Sequence, residues 1–465
     1  MIQKLMIVAL SLVQLGCSKH SANANPTPTP TPTPPPASGT EQYGTPYSGV
    51  PSAQDATIYQ VNIRAFSSEH NLNGVKNRLD SIKALGVNVI YLMPVYPIGA
   101  VRSVNSPYCV KDYKSVNPEF GTLADLRNLV DAAHSKGMAV MMDWVANHTS
   151  WDNSWISNRS WYVQDASGNI INPPNTGWQD VAQLNYQQAD MRKEMIADMK
   201  YWVYTANIDG YRCDAADFVP ADFWKQAIDT LRTITTHKLL LLAEGTRSDH
   251  FAAGFDLAYG MAFYYNLVNT VYARNGSATT IDNINTTEYQ AALGRGQVAR
   301  YISNHDVDNS DGTPLDLLGG KAGSIAAFIT AAYMKGTPMI YNGQEVGCPV
   351  KLTFFNNSTA IDWTINPDIT AMYKRIIAYR NNTEAIRKGT LVSYSSSDVC
   401  AFTKESGGRK VLVLVNLRNA TVDYTVPAAL INSNWKNAFD GNGATVTIAD
   451  HVSLAPYGFK VLETL

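Results

Sequence analysis

From residue 56 onward the chain repeats one pattern: a short apolar run, then a longer stretch whose apolar residues return at helical spacing. The runs lie at 57–63, 89–93, 139–143, 208–213, 239–243, 255–257, 299–302 and 339–341. Short, mostly apolar runs separated by amphipathic stretches predict parallel strands joined by crossover helices. Eight such units predict an α/β fold of the (β/α)8, or TIM-barrel, type. A doubly wound sheet is the competing arrangement, but no Gly-x-Gly-x-x-Gly turn follows an early run. Helix punctuation agrees with the alternation. Residues 123–130 carry helical spacing after Thr122 as N-cap, with Gly137 near the stop; 191–204 and 220–231 read similarly, with Pro220 suited to a first turn.

Two interruptions divide the chain. Residues 149–188 follow the third run, are rich in Trp, Asn and Gly, lack a clear period, and are too long for an ordinary connection. They predict an inserted irregular domain between the barrel halves 47–148 and 189–383. In the last part, 384–465, the period changes to two, at 399–403, 410–416, 421–426 and 452–461, which predicts a C-terminal antiparallel β-sandwich with a stabilising role. At the other end, Lys4 precedes an apolar stretch over 5–13 that suits an export signal. It closes on Leu15-Gly16-Cys17, which resembles a bacterial lipoprotein signal (1–17) with Cys17 as the lipidated residue. Residues 18–46 contain a Pro-Thr repeat from Pro26 to Pro36, a stiff spacer of about 30 Å in polyproline geometry. Together these predict an exported protein, lipid-anchored to the outer membrane or cell surface. A net charge of −2 with no basic run argues against a nucleic-acid partner. Cys109, Cys213, Cys348 and Cys400 are scattered without metal-ligand spacing.

The chemistry concentrates in Gly210-Tyr211-Arg212-Cys213-Asp214. In a strand, Arg212 and Asp214 project on one face and Cys213 on the other. The guanidinium is expected to hold Asp214 ionised, as a carboxylate nucleophile requires, although a structural ion pair fits this stretch equally well. The apolar run 239–243 ends in Glu244, whose surroundings are expected to favour the protonated acid. A charged and a neutral carboxyl are the division of labour in glycoside hydrolysis. Asp306, in Ser303-Asn304-His305-Asp306, is a third candidate.

Four blocks, Asp143-Trp144-Val145-Ala146-Asn147-His148, Gly210 to Asp214, Ala243-Glu244-Gly245 and Ser303 to Asp306, resemble in order and spacing the α-amylase family of glycoside hydrolases. The resemblance implies Asp214 as nucleophile, Glu244 as general acid then base, and Asp306 as stabiliser of the oxocarbenium-like transition state. It implies that His148 and His305 bind sugar hydroxyls, that Arg212 orients Asp214, and that Tyr108 stacks on the sugar; Asp143 belongs to the same charged cluster in a structural or catalytic role. Retention would place the carboxyls of Asp214 and Glu244 about 5–5.5 Å apart. Trp151, Trp155, Trp161 and Trp178 are stacking platforms or packing of the inserted domain. Asn147 matches a ligand of the family calcium, but Gln183 stands where an acidic ligand is usual and Phe218 where a histidine supplies a carbonyl. The implied calcium site is therefore weak or absent, and no cofactor is expected for the chemistry. The implied partner is an α-glucan, starch or maltooligosaccharide, cleaved at α-1,4 bonds. Transglycosylation, action on cyclodextrin or pullulan, and a silent surface glucan-binding lipoprotein are the alternatives; the last is opposed by the presence of all three acids.

Overall fold

The computed structural model describes residues 41–464 apart from 293, 358 and 440–444. The export signal, Cys17 and the Pro-Thr repeat lie outside the described residues. Residues 41–46, assigned to the spacer by composition, run along the protein: Tyr43 N–H donates to Tyr204 O (2.8 Å) and Asn207 Nδ2 to Thr45 O (2.8 Å).

Eight parallel strands close into a barrel in sequence order: Ile58–Val61, Val89–Leu92, Ala139–Val145, Gly210–Asp214, Leu240–Ala243, Leu257–Tyr259, Gln297–Arg300 and Thr337–Tyr341. All but Gln297 are buried, because helices cover the outer face and side chains fill the interior. The eight runs are the eight strands, with shifted bounds. Strand six starts and ends later than the apolar text suggests and strand seven earlier, because pairing decides. Leu257 pairs with Gln297 and Tyr259 with Ala299, which draws the polar Gln297 into the ladder and leaves Tyr301 and Ile302 beyond it. The first run is cut short at Val61, where Asn62 turns its amide to Tyr341 Oη (3.0 Å) and the chain enters the short helix Ile63–Phe66.

The helix Leu123–Ser135 begins with a full capping box, Thr122 accepting from Asp125 N–H and Asp125 from Thr122 N–H. Pro220 sits at the N-cap of Ala221–Arg232 rather than inside its first turn. Gly210 opens strand four at φ +156°, where a Cβ would lie 1.9 Å from Leu240 O. Only glycine lets strands four and five approach this closely.

After strand three, His148–Ser150 pairs antiparallel with Val181–Gln183, and two short 3-10 turns, Ser154–Ser157 and Arg159–Trp161, lie between them in sequence. The C-terminal part is a six-stranded antiparallel sheet facing a two-stranded one. Alternation along Val399–Ser406 and Arg409–Asn416 buries both faces of the larger sheet: Cys400, Phe402, Val411 and Val413 join the barrel core, while Val399, Ala401, Leu412 and Leu414 pack with Tyr424 and Leu454 of the small sheet. The expected strand 452–461 is two strands, His451–Leu454 and Phe459–Thr464, in different sheets. Tyr457 turns the chain at φ +52°. Pro456 before it cannot donate to a ladder, and the two together break the run.

Candidate active site

Arg212 is the hub. It is fully buried and reaches three carboxylates: Nη1 lies 2.7 Å from Asp143 Oδ1 and 2.9 Å from Asp214 Oδ1, and Nη2 lies 2.8 Å from Glu244 Oε1 without hydrogen-bond alignment. The placement follows from the strands. Asp143 and Arg212 are register partners on strands three and four, and Asp214 is two residues further on the same face. The rings of Tyr91, Tyr108 and Tyr259 lie 5.9, 5.7 and 5.5 Å from the guanidinium carbon. At that range their π-faces add to the cation's stabilisation. Cys213, between the two charged residues, points into the core as its position in the strand requires.

Glu244 is the first residue past strand five. Its Oε2 accepts the N–H of Ala215 (2.7 Å), and Ala215 holds φ +43° directly after Asp214. A non-glycine residue in that conformation stores local strain of about 1–3 kcal/mol, and here it aims a backbone donor at Glu244. The greasy setting expected for this carboxyl is not what the strand end provides, since its two oxygens meet a cation and an amide. Asp306 lies beyond strand seven, on the first turn of the helix His305–Ser310, whose cap Asn304 accepts from Asp306 N–H (2.9 Å) and Val307 N–H (3.0 Å).

A relay of hydrogen bonds links the histidine to the hub. Gln60 Nε2 donates to His305 Nδ1 (2.7 Å). That bond places the ring proton on Nε2. Nε2 in turn meets Tyr108 Oη (2.6 Å), and Tyr108 Oη and Tyr91 Oη donate to Asp143 Oδ2 (2.9 and 2.7 Å). Tyr108 is stacked on His305 (5.3 Å between centroids), with Phe354 edge-on to both. His148 sits across the cleft beside Trp178 (5.5 Å). The cleft itself, about 290 Å³, is lined by Asp214, Glu244, Asp306, Tyr108, His148 and His305, with Trp178, Phe354 and Phe355 among its apolar walls.

The electrostatics depart from the sequence reading. Burial pushes Asp214 well up; Arg212 opposes, but Glu244, Asp143 and Asp306 reinforce the rise. Four acids gather around this one guanidinium. Asp306 is pushed up to about 6 by withdrawal from solvent, against Arg212, while 49 % of its side-chain surface remains open to the cleft and tempers that push. Burial lowers His148 to about 4, and burial with Arg212 lowers His305 to about 3, so both rings are neutral hydrogen-bonding groups at neutral pH.

All seven residues singled out as site residues, Asp214, Glu244, Asp306, Tyr108, His148, Arg212 and His305, meet at the C-terminal end of the barrel. Asp143 is fully buried beneath them and serves to hold Arg212 and Tyr108. Of the tryptophans, Trp178 lines the cleft, Trp155 and Trp161 pack on each other, and Trp151 lies under Arg102. Sequence reading missed Gln60, Tyr91, Phe354 and Phe355. Gln60 carried a signal, a polar residue inside an apolar strand that needs a partner; the phenylalanines follow strand eight, where barrel loops build sites.

The residues matched to the family calcium do not suit that ion. Gln183 turns its amide nitrogen toward Asn147 Oδ1 (3.0 Å), Asn147 O (3.3 Å) and Leu184 O (3.4 Å). The oxygens a cation would take therefore already face N–H. Among the described residues, no group of three or more His, Cys, Asp or Glu side chains is placed to hold a metal.

The profile of the family described as "Alpha amylase, catalytic domain" matches residues 53–175 and 175–388. The chain belongs to the α-amylase family of glycoside hydrolases. Residues 390–461 match the "Maltogenic Amylase, C-terminal domain". Among α-amylase relatives, "Alpha-amylase MalA" of Haloarcula japonica is 25 % identical over 437 residues, covering 88 % of this chain and 63 % of that protein. A cyclomaltodextrinase of Thermoanaerobacter pseudethanolicus is 23 % identical over 371 residues, covering 74 % of this chain and 63 % of that one. The chain thus spans just under two thirds of these two relatives' length. The crystal structure of an α-amylase from Lactobacillus plantarum superimposes with a TM-score of 0.77 at 26 % identity, over 89 % of this chain and 99 % of that one.

Proposed function

We propose that this family member hydrolyses α-1,4 bonds of starch-like glucans with retention of configuration. The observation that carries the reading is the sharing of Arg212: Asp214 and Glu244, at the ends of adjacent strands, sit on its two terminal nitrogens and open into one cleft with Asp306. In the first step an Asp214 oxygen bonds to the anomeric carbon as the glycosidic C–O bond breaks, and the Glu244 proton passes to the leaving oxygen. In the second, water attacks the same carbon, returns a proton to Glu244, and frees Asp214. The first step requires a proton on Glu244 and a bare carboxylate on Asp214 when the sugar arrives. Asp306, His148 and His305 bind hydroxyls, and Tyr108 lies under the sugar.

Reducing-sugar release from soluble starch tests the reading: Asp214→Asn and Glu244→Gln should each lose about 10⁴-fold or more in kcat. Release equal to wild type in either variant would refute it. Cyclodextrin or transfer activity is a second reading, favoured by the cyclomaltodextrinase relative and by the exposed aromatics Trp178 and Phe218 at the cleft edge (5.8 Å between rings). Products from maltoheptaose, cyclodextrin and pullulan decide between the two. The Leu15-Gly16-Cys17 signal and the Pro-Thr spacer support export and a lipid tether. Incorporation of labelled palmitate into wild type and not into Cys17→Ser is the expected result.

A further inference from the structure

Four successive carbonyls at the exit of strand three are held by neutral side chains from other segments. Tyr113 Oη is shared between Val145 O (2.7 Å) and His148 O (3.0 Å), Tyr186 Oη donates to Ala146 O (2.5 Å), and Gln183 Nε2 donates to Asn147 O (3.3 Å). Gln183 does more than close this row. Its nitrogen also meets Asn147 Oδ1 and Leu184 O, so three oxygens from two chain segments converge on one NH2 group. Convergent oxygens at a junction are what a hard cation organises. They are also what an amide NH2 organises, without charge, because it supplies donors and needs no carboxylate to balance it. Asn147 is fully buried and its own Nδ2 is directed to His148 Nδ1 (3.2 Å). Its side-chain oxygen Oδ1 is therefore out of reach of solvent and depends on the glutamine, whereas its backbone carbonyl also accepts Leu184 N–H (3.2 Å). Gln183 is also the register partner of His148.

We propose that the Gln183 amide is a built-in replacement for the calcium ion of the α-amylase family, tying the inserted segment to strand three and holding the strand that carries His148. The inference concerns the junction and is independent of the reaction assigned to the cleft. Removing the donors leaves the buried Asn147 Oδ1 unpaired, and a carboxylate of the same shape adds repulsion that only a bound cation relieves.

Thermal unfolding of the full chain tests it. The wild type should melt at the same temperature in chelator and in millimolar calcium. Gln183→Glu should melt about 2–5 °C lower in chelator and recover in calcium. Gln183→Met, which keeps the volume without the donors, should melt lower by a similar amount with no recovery, and it carries the test if Gln183→Glu does not fold. A wild-type melting temperature that falls in chelator, or a Gln183→Met protein as stable as wild type, would overturn the proposal.

Discussion

The two ends of the barrel bury charge in opposite ways. At the mouth, one guanidinium, Arg212, faces Asp143, Asp214, Glu244 and, at longer range, Asp306. At the floor, Arg380 is fully buried with no carboxylate contact among the described residues; it donates to Gln54 O (2.8 Å), Gly336 O (3.3 Å) and Thr57 Oγ1 (3.4 Å). Beside it Lys404, from the C-terminal sheet, gives its ammonium to Ile386 O. Burial lowers Arg380 to about 10, and burial with Arg380 and Lys335 lowers Lys404 to about 7. The mouth gathers more acids than cations, and burial raises Asp214 and Asp306 above the ordinary carboxylate range. The floor has cations met by neutral carbonyls, which fasten the sandwich to the barrel at a cost in stability.

The sharpest way to break this contrast is to remove the hub. Arg212→Met leaves three acids buried without their cation and should lower unfolding free energy by about 3–5 kcal/mol, read from urea midpoints, with activity lost as well. The mirror change at the floor should have the opposite sign. Lys404→Met removes a cation with no counter-charge and should be neutral or stabilising by about 1–3 kcal/mol at neutral pH. Its pH dependence sharpens the point. The folded lysine titrates at about 7, below its ordinary 10.5. Between those values the unfolded chain binds more protons, so wild-type stability rises with pH, by at most about 1.4 kcal/mol per pH unit. Below about 7 both states carry the charge and the penalty is complete. Denaturation at about pH 6 and about pH 9 should show that slope in wild type and a flatter one in Lys404→Met.

Smaller effects should appear in the relay above the hub. Tyr108→Phe removes one donor to Asp143 and should raise KM about tenfold, with little change in melting temperature. The acid limb of kcat/KM should lie above the ordinary carboxylate range, because Asp214 is raised and Asp306 is raised to about 6. Activity falls as pH drops through that limb, since the nucleophile takes up a proton. His148→Gln should leave the limb where it is, because a ring lowered to about 4 is already neutral there.

Much of the site was legible because its parts are local. Gly210, Arg212 and Asp214 share one strand, Glu244 ends the next, and Thr122 caps its helix three residues from Asp125, so spacing alone placed them. The relay was not legible: Gln60, Tyr91 and Phe354 come from strands one and two and the loop after strand eight, and their meeting over His305 and Asp143 has no sequence period. The break at Pro456 and Tyr457 was missed because alternation on both sides hides a change of sheet.

The amino-acid order by itself determined which residues stand at the strand ends and which face they share, since the pitch of a strand is a property of the backbone. Only the closed barrel decided in which direction the Asp214 carboxyl is shifted. That depends on how many charges gather around Arg212, and Asp143, Glu244 and Asp306 arrive there from strand three, the end of strand five and the helix after strand seven. A single neighbouring arginine, visible two residues away, was outweighed by burial and by acids the chain brings in from afar.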